Sequence, residues 1–148
     1  MQKNKNITYY LLIILALLCI LVGGAIYLVF RTRTLIMFKF IPMEYIITLN
    51  KIRDFLAFSN NNCSSFLIYN LPTGLWTISY LIVMQLICKG MPPYQRLIWV
   101  YLLPSLLLSI EFLQIFSFCH GTFDNIDVLT YIIPIIVSLL IDKRNEKL

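Results

Sequence analysis

Length, composition and charge assign this chain to a lipid environment. Its 148 residues are 59% hydrophobic and 13% charged, with a mean hydropathy of +0.81, whereas a soluble domain carries about 25% charged residues. The net charge of +5 does not indicate nucleic-acid binding, because Lys and Arg lie almost entirely in tails and loops, where they meet anionic lipid head groups. We therefore predict an all-α membrane protein whose partners include membrane lipid and no nucleic acid.

Four apolar runs predict four transmembrane helices within a single membrane domain over residues 1–148. The first run, 7–30, is longer than the apolar core of a signal peptide, which has about 7–15 residues, so we expect it to be retained as an anchor. The other runs cover 71–88, 97–118 and 126–141. Because about 20 apolar residues are needed to cross a bilayer, the last run is short, and we expect it to be recessed or the bilayer to thin around it.

An amphipathic helix is predicted between the first and second spans, over residues 43–57. Apolar residues recur there at intervals of three and four, with charged residues between them, which is typical of a helix lying in the interface plane. Pro42 suits the first turn of this helix. Lys51 and Arg53 could attract an anionic head group, although ordinary anchoring at the membrane surface is the simpler explanation.

The distribution of Lys and Arg predicts the orientation in the membrane. Four spans place both termini on one side, and more Lys and Arg lie on that side than on the other, so the positive-inside rule favours cytoplasmic termini. Arg31 and Arg33, directly after the first span, argue for the opposite orientation. With cytoplasmic termini, the chain is a multi-pass protein of the cell inner membrane, and the hinge over 119–125 faces outward.

The four cysteines do not indicate a metal site, since they show no spacing of Cys or His that is typical of zinc ligands. Cys19 and Cys88 fall within apolar runs and are predicted to act as small hydrophobic residues. Cys63 and Cys119 would lie on the same side of the membrane, where an oxidising outer face would allow a disulfide between them.

Polar residues lie inside and directly after the third predicted span. Glu111 is well within this span and Gln114 follows one turn later. His120, Asp124 and Asp127 lie in and just after the hinge. A carboxylate at membrane depth costs several kcal/mol by most estimates, so it is a functional hypothesis by default.

Helical spacing predicts that these polar residues line a common pocket. Glu111 and Gln114 share one face of the third helix, and polar faces in lipid turn toward the interior of the bundle. The expected pocket opens at the outer leaflet, with Glu111 deepest and the hinge residues at its mouth. The residues expected to act catalytically are Glu111, Gln114, Asp124 and Asp127, and those expected to bind substrate are His120, Tyr131, Thr77 and Tyr80.

Two chemistries suit such a pocket. Glu111 could take up and release a proton, or Glu111, Asp124 and Asp127 could hold a divalent cation against a lipid phosphate. No other cofactor is expected. Familiar hydrolase and nucleotide chemistry is unsupported, because the chain has no Ser-His-Asp order, P-loop or HExxH motif. A transporter is disfavoured, since four helices leave little room for a translocation path unless the chain oligomerises.

A purely structural role competes with both chemistries. Gln114 and Tyr131 could be hydrogen-bonding contacts that hold helices together. Asp124 or Asn125 could cap the fourth helix, and Asn70 is a good N-cap for the second. The corresponding function is a non-catalytic membrane subunit or assembly factor.

The order of motifs in the second half of the chain resembles the VanZ-like family of small bacterial integral membrane proteins. The shared features are E-x2-Q at Glu111 and Gln114, the string G-T-F-D-N-I-D over 121–127, and a short apolar helix after it. The stretch N-L-P-T-G-L-W lies where that family has a polar motif at the start of its second span. It also looks like an L-P-D-G-L-W string found in small bacterial proteins, with Thr73 in place of Asp. The resemblance covers about residues 70–141.

The resemblance implies a role at the bacterial cell envelope, because the founding member of that family is associated with resistance to a glycopeptide antibiotic. The expectation is a protein of the bacterial inner membrane that acts at the outer leaflet on an envelope lipid or glycolipid precursor. A membrane-protein partner or a homo-oligomer is compatible with this role.

Overall fold

The computed structural model describes residues 2–31, 36–55, 66–118 and 123–145. Five α-helices account for most of these residues, and no strand occurs among them. The helices are α1 (Gln2–Phe30), α2 (Met43–Phe55), α3 (Leu71–Ile87), α4 (Pro93–Ile115) and α5 (Asn125–Asn145), with a 3-10 turn (Ile36–Phe40) before α2 and a π-helical turn (Phe66–Asn70) before α3.

Four of these helices are long and apolar enough to cross a membrane, which confirms the predicted fold class. The candidate spans are Ile7–Phe30, Phe66–Ile87, Pro93–Ile115 and Asn125–Asp142. Only 17% to 28% of the residues in the most apolar part of each span are buried within the chain. Most of the helix surface is therefore available to lipid, and the chain is a multi-pass, all-α membrane protein.

Helix α3 lies at the centre of the bundle and packs against the other three spanning helices. Helix α1 packs on α3, while α4 and α5 contact both α3 and each other. Helix α3 is antiparallel to α1, since Ser79 donates to the carbonyl oxygen of Ala16 at 2.9 Å while Trp76 lies at Gly23. It is antiparallel to α4 as well, with which it is joined by the short turn before Pro93. It is parallel to α5, because Gly74 lies beside Thr130 and Gln85 donates to Ser138. The start of α3, the end of α4 and the start of α5 consequently meet at one end of the bundle.

The contact between α1 and α3 is closest at Gly23. A Cβ atom at this position would lie 2.7 Å from Trp76 Nε1 and 3.3 Å from the carbonyl oxygen of Pro72. The Trp76 ring also packs on Tyr27, with ring centroids 5.3 Å apart. The absence of a side chain at Gly23 therefore lets the indole lie between the two helices.

Helix α4 begins and ends earlier than the predicted third span, 97–118. Proline is favoured in the first helical turn, so Pro93 can open the helix before the apolar run starts. At the other end, the Phe118 N–H donates to the carbonyl of Leu113 at 3.2 Å, and Ser117 takes a left-handed φ of 56°. This Schellman-type closure ends the helix although the apolar sequence continues.

Helix α5 is longer than the predicted fourth span, 126–141, while the expectation that the span is recessed or that the bilayer thins around it stays a prediction. Its candidate span covers 18 residues and reaches Asp142, which corresponds to about 27 Å of helix. Asp142 forms an ion pair with Arg96 near the start of α4. Because this pairing balances the negative charge of the carboxylate, the helix can continue into the charged segment that follows the apolar run.

A polar network surrounds that ion pair at the end of the bundle where α3 ends. Tyr101 and Ser138 are both buried, and their hydroxyl groups lie 2.9 Å apart. Gln85 donates to Ser138 at 2.6 Å, and the Tyr101 hydroxyl donates to Asp142 at 3.3 Å. The network thus joins α3, α4 and α5 through side-chain hydrogen bonds.

Helix α2 lies against α1. It covers Met43–Phe55, and the last two residues of the predicted helix, 43–57, lie outside the described residues. Arg53 is half-buried and donates through Nε to the carbonyl of Val29 at 2.9 Å and through Nη2 to that of Arg31 at 2.8 Å. These bonds tie α2 to the end of the first span. Its location in the interface plane stays a prediction.

Cys19 and Cys88 are free and buried, which confirms their predicted role as small hydrophobic residues. Cys88 packs in the core cluster with Leu81, Val100 and Tyr101.

Candidate functional site

Asn70 joins the start of α3 to the start of α5. Its side chain is buried, and its Nδ2 donates to Asp127 Oδ1 at 2.7 Å and to Asp124 Oδ2 at 3.3 Å. Glu111, near the end of α4, is half-buried and lies within electrostatic range of both aspartates. We refer to Asn70, Glu111, Asp124 and Asp127 as the polar rim. Three of the four residues predicted to act catalytically thus meet at one end of the bundle.

The side chains at the helix starts explain part of this arrangement. The prediction that Asn70 caps the second span is wrong, because its side chain makes no capping hydrogen bond and is engaged by the two aspartates instead. Pro72 does occupy the first turn of α3. Asp124 caps α5, since its Oδ1 accepts from the N–H of Ile126 at 2.8 Å. Asp124 therefore has a structural role whatever else it does.

A cavity of about 420 Å³ lies between α3, α4 and α5. This volume is within the range of about 300–1,000 Å³ that is common for ligand pockets. The wall is mainly apolar and aromatic, with hydroxyl groups from α3 and α5, and includes three residues predicted to bind substrate. The lining residues are Thr73, Trp76, Thr77, Tyr80, Leu103, Pro104, Leu107 and Tyr131.

The polar rim lies at one end of this cavity. On each of the three helices, a rim residue is about one turn from a residue that lines the cavity. The pairs are Asn70 and Thr73, Glu111 and Leu107, and Asp127 and Tyr131. Glu111 is therefore at the edge of the cavity and not at its deepest point, contrary to the prediction, because α4 ends only one turn after it.

The remaining predicted site residues are Gln114, Tyr131 and His120. Gln114 is half-buried one turn closer to the end of α4 than Glu111, and both make interactions within the described part of the chain. Tyr131 is buried and lies within electrostatic range of Glu111. His120 lies outside the described residues, as do Cys63 and Cys119, so its role and the disulfide stay predictions.

Arg31 supplies a positive charge beside the rim. Its guanidinium carbon lies 5.5 Å from the Tyr27 ring centroid and 5.6 Å from that of Tyr69, which is a cation–π arrangement with both rings. Arg31 also lies within electrostatic range of Asp127. Since Tyr27 packs on the cavity residue Trp76, the guanidinium lies near the cavity wall on the α1 side.

Metal binding by the rim alone has no support in the geometry. Among the residues that the structure describes, no group of three His, Cys, Asp or Glu side chains could hold a metal ion. Glu111, Asp124 and Asp127 share a region of negative potential without converging on one point. They are better suited to accept hydrogen bonds from a cationic or hydroxylated group than to coordinate a cation as a complete set.

Two members of this site were not identified from the sequence. The sequence predicts only a capping role for Asn70, although its position one turn before the cavity residues of α3 is a usable signal. The sequence indicates Arg31 only as an orientation signal, because its two aromatic partners, in α1 and in the turn before α3, are brought together by the packing of α1 on α3.

Comparison of the chain with family models, curated proteins and solved structures finds no significant match.

Proposed function

We propose that the chain is a VanZ-like protein of the bacterial inner membrane that binds an envelope lipid or glycolipid precursor. An apolar tail would occupy the cavity between α3, α4 and α5, and the head group would lie at the polar rim. The observation that carries this proposal is the position of an apolar cavity directly beside a cluster of carboxylates. An amphiphile has the same division between an apolar and a polar part.

The proposed orientation places the rim at the outer leaflet and both ends of the chain in the cytoplasm. The excess of Lys and Arg on the side of the termini supports this orientation. The E-x2-Q motif of Glu111 and Gln114 and the acidic motif before α5 lie at the same end of the bundle, which is compatible with a shared role.

Glu111 is the proposed acid/base group, since it is the carboxylate on α4 next to the cavity and is not needed to cap a helix. Gln114 would orient it, while Asp124 and Asp127 would contact the head group. The substitution Glu111→Gln keeps the size of the side chain and its hydrogen-bonding capacity but removes its ionisation. It therefore distinguishes an acid/base role of Glu111 from a role in helix packing.

A non-catalytic membrane subunit is the second candidate. The observation in its favour is the pair of hydrogen bonds from Asn70 to Asp124 and Asp127, because contacts of this kind hold helices together without any further function.

The test is to produce the chain in a susceptible bacterium and to measure glycopeptide tolerance together with the envelope lipid profile. We expect the wild-type chain and Glu44→Gln, a control at an exposed position of α2, to change both measurements. We expect Glu111→Gln, present at equal membrane levels, to change neither. Full activity of Glu111→Gln would contradict an acid/base role of Glu111 and favour the function as a non-catalytic membrane subunit.

A further inference from the structure

The polar end of the cavity has a cationic side and an anionic side. Arg31 lies on the α1 side, held against the rings of Tyr27 and Tyr69. Glu111 and Asp127 lie on the α4 and α5 side. The cavity wall connects the two sides, because Trp76 lines the cavity and packs on Tyr27.

The position of Arg31 is well defined by its surroundings. Two aromatic faces hold its guanidinium, and Arg53 donates a hydrogen bond to its backbone carbonyl at 2.8 Å. A guanidinium is a preferred partner of phosphate oxygens, which it can bind through two parallel N–H donors. The cationic side is therefore suited to a lipid phosphate.

The anionic side is suited to an ammonium group with N–H donors. Asn70 donates to only one oxygen of Asp127, Oδ1, and Glu111 lies within electrostatic range of this carboxylate. A primary ammonium has three donors, whereas a quaternary ammonium has none and is instead bound by aromatic faces. Arg31 occupies the aromatic faces of Tyr27 and Tyr69, and the carboxylate of Asp127 offers an acceptor that a primary ammonium can use and a quaternary ammonium cannot.

We infer that the cavity binds a zwitterionic aminophospholipid, with its phosphate beside Arg31, its primary ammonium beside Asp127 and an acyl chain between α3, α4 and α5. The inference rests on the proposed function and names the class of lipid. The matched charge pattern argues against an anionic lipid, whose head group would offer no cation to the carboxylates.

Head-group preference tests this inference directly. The full-length chain is purified into mixed micelles that contain equal amounts of phosphatidylethanolamine, phosphatidylcholine and phosphatidylglycerol with identical acyl chains, and bound lipid is counted by native mass spectrometry. Phosphatidylethanolamine should exceed each of the others by about tenfold, the effect of one charge-assisted hydrogen bond.

Two variants test which side chain binds the phosphate and which binds the ammonium group of the lipid. Asp127→Asn keeps an oxygen that can accept from Asn70 but loses the charge, so the preference for phosphatidylethanolamine should disappear while total lipid binding persists. Arg31→Gln should lower the binding of all three lipids and leave the preference in place. Asp54→Asn, at an exposed position of α2, is the control and should behave as the wild type.

The results distinguish a failure of this inference from a failure of the proposed function. Equal binding of the three lipids, a preference for phosphatidylglycerol, or an unchanged preference in Asp127→Asn would overturn the inference and leave the proposed function standing. Absence of any bound lipid from wild-type protein that is helical by circular dichroism would overturn both.

Discussion

At the scale of single residues, the closest approach of α1 to α3 depends on Gly23. Its missing side chain leaves room for the indole of Trp76, which packs against α1 and also lines the cavity. Gly24, next to it, has no atom within 4 Å of the position where its Cβ would be. The two glycines therefore have different roles although they are neighbours in the sequence.

This difference gives a stability prediction with a built-in control. Gly23→Ala should lower the free energy of unfolding by about 1–3 kcal/mol, the usual cost of overpacking, because the methyl group would collide with a rigid ring and a backbone carbonyl. Gly24→Ala should be neutral or stabilising by up to about 1 kcal/mol, since alanine is the better helix former. Denaturant unfolding in micelles measures both, and equal effects would contradict the close contact at Gly23.

Residue spacing also shows which parts of the site the sequence could predict. Thr77 and Tyr80 lie about one turn apart on α3, and both line the cavity with Tyr131, as three of the residues expected to bind substrate. The position of Glu111 at the edge of the cavity does not follow from the sequence, because apolar composition does not reveal that Ser117 adopts a left-handed conformation and ends α4 early.

At the scale of helices, the end of the bundle opposite the rim is held by the network around Asp142. Asp142 directly follows the last predicted span, 126–141, and a carboxylate after an apolar run is normally exposed. Its spacing of four residues from Ser138, on the same face of α5, was the signal that it belongs to the helix. Its partner Arg96 is distant in sequence, so the pairing follows only from the packing of α4 on α5.

A double-mutant cycle tests the ion pair between Arg96 and Asp142. Their side chains are 27% and 17% exposed, so the pair is shielded from water only in part. We expect Asp142→Asn and Arg96→Gln each to lower the free energy of unfolding by about 1–3 kcal/mol.

The coupling energy from this cycle should exceed about 0.5 kcal/mol, as is common for residues in contact. Asp54→Asn on α2 is the surface control and should change the free energy of unfolding by less than about 0.5 kcal/mol. Strictly additive effects of the two substitutions would show that the pair contributes little to the bundle.

At the scale of the whole molecule, the four spans form an up-and-down bundle with a polar cluster at each end and a cavity next to one of them. Composition and apolar run length were sufficient to predict the spans, because they depend on the thickness of the bilayer. The sequence predicted a pocket that includes Thr77, Tyr80 and Tyr131, but it did not predict the mainly apolar wall, which results from the way side chains of α3, α4 and α5 meet. This apolar wall beside the rim suggests a lipid ligand.

Lipid retention in a matched pair of α4 variants tests this central claim most directly. Leu107 lines the cavity, whereas its neighbour Leu106 is 52% exposed on the outside of the bundle. After purification in detergent, native mass spectrometry should find bound lipid on the wild-type chain and on Leu106→Trp but not on Leu107→Trp, whose indole would fill the cavity. Equal lipid retention by the two tryptophan variants would contradict a lipid site in this cavity.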